Sequence, residues 1–187
     1  MRRACDPTQT GSPVLELRLA MPRSTDELID LFASRLQSRG VRIEKADNSA
    51  LLEKLQAGLA RKLPQSFASL LSRYSFRTFD AGGITFFGWE SESSEIFHDI
   101  APNEGTLSEL LLPAGYVQIG RPDTGDYDAI CFDSNAAKQN REYPLVCADH
   151  EEILCNYRVK IVGQLWPSFA ELVEFCDMDS IAAEYHD

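Results

Sequence analysis

The residues of this 187-residue chain that could do chemistry are mostly carboxylates, and they gather in its second part. Asp149-His150-Glu151-Glu152 sets one imidazole among three acids. A metal centre or a general acid–base pair needs side chains that converge on a point, whereas adjacent residues point apart, so this run reads as an acidic surface loop. Asp123, Asp126 and Asp128 imitate the start of a calcium loop but lack its closing glutamate. The five cysteines, Cys5, Cys131, Cys147, Cys155 and Cys176, show no CxxC spacing, and His98, His150 and His186 are scattered, so no zinc set is expected. A cysteine nucleophile would need a histidine base, and nothing in the spacing points to one. GxSxG, GxxxxGK[ST], GxGxxG and HExxH motifs are all missing. Neither an enzyme nor a metal or cofactor protein is expected from these patterns.

Charge says more. The formal net charge is −11, but residues 1–77 carry +5 and residues 78–187 carry −16. A field of that sign disfavours nucleic acid and anionic membrane surfaces, and its natural complement is a basic protein. The plainer alternative is that acidic loops only keep the chain soluble. No apolar run approaches the ~20 residues that span a bilayer, and no apolar segment follows Arg2 and Arg3 to make a secretory signal. Unpaired cysteines fit a reducing compartment, so a cytoplasmic location is expected.

These side chains must be positioned by elements whose hydrophobic period changes along the chain. Residues 1–23 read as an N-terminal extension, in which Val14–Ala20 alternates like an edge strand, and residues 24–187 as one domain. Ser24-x-x-Glu27 is a capping box before Leu28, Leu31, Phe32 and Leu36, which predicts a helix over 26–39. Leu51, Leu52, Leu55 and Leu59 predict a second over 49–62, ended by Pro64. Phe67, Leu70, Leu71 and Tyr74 predict a third over 65–74. After Tyr74 the period becomes two. Strands are predicted at Phe76–Phe79 and Ile84–Trp89 around an Asp80-Ala81-Gly82-Gly83 turn, then at Tyr116–Gly120, Asp128–Asp133, Pro144–Ala148 and near Ile161–Gly163. Phe169, Leu172, Val173 and Cys176 predict a closing helix over 168–177. The fold class is therefore α+β, with a mostly antiparallel sheet of five or six strands covered on one side by three N-terminal helices and the C-terminal one. Leu63, Phe67, Leu71, Phe86, Ile119, Ile130 and Phe169 are the expected core. Trp89 and Trp166 could line a pocket, although aromatic residues on alternating strands are more often core.

Glu53, Leu63-Pro64, Phe67, Leu71 and Tyr74 together resemble the opening helices of SUKH-superfamily domains, the Smi/Knr-like proteins. Gly115-Tyr-Val-Gln-Ile-Gly120, Gly125-Asp126 and Ile130-Cys-Phe-Asp133 are similar to the central strands of that family, and Ser168-Phe169-Ala-Glu-Leu172 to its final helix. The resemblance spans roughly 24–178. It departs from the family in the long acidic stretch after the strand at Pro144 and in residues 1–23.

The resemblance implies function by binding. Many bacterial members look like immunity proteins that neutralise toxins passed between competing cells, and fungal relatives regulate through protein contacts. Two expectations follow: an immunity protein that binds a basic toxin domain, or an intracellular adaptor with no toxin partner. The acidic face expected to bind comprises Glu90, Glu92, Glu95, Asp123, Asp126, Asp128, Asp149, Glu151 and Glu152. Several of them are expected to form one contiguous surface, with Asp149, Glu151 and Glu152 exposed; like charges held together cost stability, so such a cluster would suggest a use.

Overall fold

The computed structural model describes residues 24–94, 96, 107–136 and 141–177. The 1–23 extension with its Val14–Ala20 strand, Glu95, and the chain around Asn103-Glu104-Gly105 lie outside them. Ser24 caps α1 (Thr25–Ser38): its hydroxyl accepts from the Glu27 N–H and the Glu27 carboxylate accepts from the Ser24 N–H. Ile29, Phe32, Ala33 and Leu36 face the core. α2 (Ser49–Ala57) stops five residues short of its expected end. Gly58 is a poor helix residue, and it and Leu59 close the last turn with bonds to Leu55 and Gln56, three residues back. α3 (Gln65–Arg73) starts just after Pro64. Its free N-terminal donor at Ser66 is taken up by Glu142, 76 positions away, whose carboxylate accepts from both the Ser66 N–H (2.9 Å) and its hydroxyl (2.8 Å).

The expected strand over 76–79 is in fact two. β2 (Tyr74–Phe76) pairs with β1 (Ile43–Lys45), which sequence patterning does not reveal, and β3 (Phe79–Ala81) pairs with β4 (Ile84–Phe86). The β3–β4 turn is only Gly82-Gly83, with φ of 62° and 84°; Asp80 and Ala81 belong to the strand. Two successive positive φ values form the turn whose twist suits a hairpin, and glycine adopts them without strain. β5 (Tyr116–Pro122), β6 (Ala129–Asp133), β7 (Leu145–Ala148) and β8 (Ile161–Trp166) follow. The six strands β3 to β8 lie side by side in chain order, every neighbour antiparallel. At Gly120 the β5–β6 register shifts, and a Cβ there would stand 2.2 Å from the Thr85 carbonyl oxygen, so only glycine lets β4 and β5 approach.

The sheet has helices on both faces, not one. On one face, α1, α3 and α6 (Phe169–Phe175) enclose a ring cluster in which Phe169 meets Phe32, Phe67, Phe86 and Phe132 at centroid distances of 5.0 to 6.4 Å. All seven expected core residues are buried, and Trp89, which donates its indole N–H to Leu71, is core too. On the other face, α4 (Ser108–Leu111) and α5 (His150–Asn156) place Leu111 and Ile153 over Ala129, Cys131, Val146 and Ala148. Strand parity assigns the faces: Ile130, Phe132, Leu145 and Cys147 look inward to the rings, and Cys131 and Val146 look to the second cluster. Both expected interior cysteines are therefore buried, on opposite faces. Cys131, Cys147, Cys155 and Cys176 are free thiols.

Candidate acidic docking surface

The antiparallel ladders bring the end of β5, the start of β6, the end of β7 and the start of β8 to one end of the sheet, through the pairs Ile84–Pro122, Ala129–Ala148 and Ala148–Ile161. The β5–β6 loop and the N-terminus of α5 sit there. Six of the nine expected residues, Asp123, Asp126, Asp128, Asp149, Glu151 and Glu152, belong to these two segments. Proximity alone does not make them equivalent, however.

Asp123, Asp126 and Glu151 are exposed. Asp126 accepts a bond from the Thr124 hydroxyl at 2.9 Å, which shapes the loop tip. Asp128 is half-buried and committed inward: it accepts from the His150 backbone N–H (3.0 Å), meets the His150 ring Nδ1 (2.8 Å), and takes the Cys147 thiol at 3.7 Å. Burial pushes the Asp128 carboxyl up, but the hydrogen bonds from His150 and Cys147 outweigh it and hold the acid below its ordinary value.

Asp149 and Glu152 are not loop residues, which corrects the expectation for 149–152. Asp149 is the N-cap of α5, accepting from the Glu152 N–H at 3.1 Å, and Lys160 Nζ lies 3.0 Å from its other oxygen. The Lys160 bond first, and the backbone bond second, lower its carboxyl pKa. Glu152 is half-buried and binds Arg158 at 2.8 Å. Asp149-x-x-Glu152 has the spacing of a capping box, the signal that could have revealed this helix.

Two more expected residues lie elsewhere. Glu92 pairs with Lys54 of α2. Glu90 faces Arg77 at 3.7 Å across a groove of about 580 Å³ that also meets Asp80, Thr85, Arg121 and Asp123. That groove lies on the sheet side where Thr85 donates to Asp80 at 2.5 Å, and it joins Glu90 to the acidic end through Asp123. Asp80 and Arg121 were not legible as site residues; their place follows from strand parity, since Thr85 and Asp80 alternate with buried Ile84, Phe86, Phe79 and Ala81.

The arrangement offers little for catalysis among the described residues. Burial first, and the neighbouring Asp128 charge second, push the Cys147 thiol up to about 11, so at neutral pH it stays protonated, not nucleophilic. Burial holds Cys131 higher still. Asp128 stands between Cys147 and His150, so the imidazole does not accept the thiol proton. No group of three His, Cys, Asp or Glu side chains among the described residues is placed to hold a metal ion, and no helix among them is long and apolar enough to cross a membrane. Compared with known proteins, the chain matches no family model, no curated protein and no solved structure.

Proposed function

We propose that this chain is a non-catalytic binding domain that captures a basic protein on the acidic end of its sheet. The observation that carries the reading is the placement of exposed Asp123, Asp126 and Glu151 at that end of the sheet. Carboxylates held together raise the local negative potential, which speeds encounter with a cationic surface and selects against anionic ones. The resemblance of its ordered motifs to SUKH-type domains supports the more specific proposal: an immunity protein whose partner is a toxin with a basic substrate groove, active in the cytoplasm. An exposed acidic end occupying such a groove would exclude the toxin's own anionic substrate.

The experiment is co-purification of the tagged chain with the products of neighbouring genes, followed by association kinetics. Reversal of Asp123, Asp126 and Glu151 to Lys should slow association and leave the melting curve unchanged. Wild-type association should also slow as salt rises, because steering is screened over about 8–10 Å near physiological ionic strength. A cognate association rate indifferent to both changes would remove the acidic end from the interface. A regulatory protein as the only captured partner would replace the toxin reading with the adaptor one.

A further inference from the structure

Tyr127 stands in the β5–β6 loop, between Asp126 and Asp128, and is left largely uncovered. It is 70% exposed, and its hydroxyl has no hydrogen-bond partner among the described residues. Tyr74 and Tyr143 differ: both are buried, and their hydroxyls reach Asp30 and the Lys62 carbonyl. A ring left in water forgoes the burial that normally stabilises an aromatic side chain.

The exposure is not that of a loose loop. The Asp123 N–H bonds to the Gly83 carbonyl at 3.3 Å, and the Gly125 N–H to the Pro122 carbonyl at 3.4 Å. Asp126 takes the Thr124 hydroxyl, and Asp128 is fixed to α5 by the His150 N–H and ring. Both neighbours of Tyr127 are therefore tied down. The Tyr127 ring itself meets the His150 ring, with centroids 6.0 Å apart and an interplanar angle of 57°. Tyrosines held this way anchor protein interfaces, since they add contact area with little side-chain freedom to lose.

The acids select the occupant. Asp126 precedes the ring, Glu151 follows the histidine that backs it, and both carboxylates are exposed. A cation above an aromatic face is attracted by the ring's quadrupole. A planar guanidinium can lie on the ring while its edge N–H groups donate to carboxylates, which a compact ammonium on a flexible stem does less well. We propose that Tyr127 is the anchor of the acidic end and seats an arginine side chain of a basic protein partner over its ring, with Asp126 and Glu151 accepting from the guanidinium edge. This rests on the acidic-end reading and names the side chain that surface takes. The carboxylates then govern how fast the partner arrives, and Tyr127 how long it stays.

The test is NMR of the full chain with ring-labelled tyrosine, titrated with a hexapeptide of arginine and, separately, one of lysine. The arginine peptide should shift the Tyr127 ring signal, which is identified by its loss in Tyr127→Phe. Tyr127→Ala should bind the arginine peptide about two- to fivefold more weakly, the worth of an exposed cation–π contact, and the lysine peptide with less change. Tyr127→Phe should bind as the wild type does, because the contact is to the ring. Both variants should keep the wild-type melting curve, since the site is exposed. A Tyr127 signal unmoved at saturation overturns the anchor. So does a Tyr127→Ala variant that binds the arginine peptide as well as the wild type while reversal of Asp123, Asp126 and Glu151 to Lys weakens both peptides; the acidic-end reading then survives without it. Charge reversal that leaves both peptides bound as before overturns that reading and the anchor together. Equal losses for the two peptides in Tyr127→Ala overturn arginine as the occupant.

Discussion

The Trp166 indole N–H donates to the Gly82 carbonyl oxygen at 2.9 Å, across 84 positions of sequence. Trp166 ends the last strand of the six-stranded sheet and Gly82 begins the turn of its first hairpin. Strands at opposite margins of a flat sheet of this size would be five spacings, roughly 24 Å, apart. The bond therefore records how far the sheet curls around Phe169, and it clasps the two margins. Trp166→Phe should lower stability by about 1 kcal/mol in urea unfolding, the worth of one hydrogen bond. Gly82→Ala should cost at least as much, because φ is +62° and the new Cβ would stand 3.2 Å from Leu172 Cγ.

Phe67 is fully buried, with ring centroids 5.1 Å from Phe132 and 5.0 Å from Phe169. Phe67→Ala should cost about 3–5 kcal/mol, and Phe67→Leu less. Chemical denaturation of both variants checks this. A loss under about 1 kcal/mol for Phe67→Ala would mean that α3 does not anchor the sheet.

Tyr74 hydroxyl bonds to Asp30 at 2.5 Å, beside the Arg73–Asp30 pair. Burial first, and the Asp30 bond second, push the Tyr74 phenol up to about 12 from 10.0. The folded state thus keeps a proton that the unfolded chain loses above pH 10, and stability should fall between about pH 10 and 12. On the acid side the sign reverses. The Tyr74 and Arg73 bonds hold Asp30 below 3.8, so its contribution, present above that pH, is lost as pH falls further. Unfolding midpoints across pH for Tyr74→Phe should lack the alkaline loss associated with this phenol.

Asp149 and Glu151 are two positions apart and should behave oppositely. Asp149→Ala removes the cap of α5 and the partner of Lys160, and should lower the melting temperature. Glu151→Lys should leave it nearly unchanged while slowing capture of the basic partner.

Of the four described cysteines, Cys155 alone is exposed. Brief treatment of the native chain with iodoacetamide, read by peptide mass spectrometry, should modify Cys155 and spare Cys131, Cys147 and Cys176. Unfolding in urea should open all four.

What could be read from the sequence followed burial. α1, α3 and α6 carry apolar stripes and sharp starts at Ser24, Pro64 and Ser168, and periodicity finds all three; it finds the core residues of α3 and α6, but in α1 the buried face is Ile29, Phe32, Ala33 and Leu36, and the expected Leu28 and Leu31 are only half-buried. The hairpin at Gly82-Gly83 announced itself through turn chemistry. The failures share another cause, because their signals depend on distant partners. β1 is three residues long and exists because β2 pairs with it. α5 looks like an acidic run, since its first turn is polar and only Ile153 is buried. The acidic surface was legible as composition but not as geometry. Nothing local separates Asp126, which faces water, from Asp128, which is held by His150 and Cys147.

The chain-order meander carries a consequence for how the molecule is made. Each strand from β4 to β8 pairs with the strand before it, so the sheet can grow strand by strand as the chain leaves the ribosome. The ring cluster cannot close on that schedule. Phe169 is its centre, and Arg35 of α1 reaches the Val173 carbonyl across 138 positions, so the first helix waits, with Phe32 uncovered, until the last one emerges. A message truncated before residue 169 would yield a chain that has most of its strands and an open core, a natural substrate for chaperones and proteases.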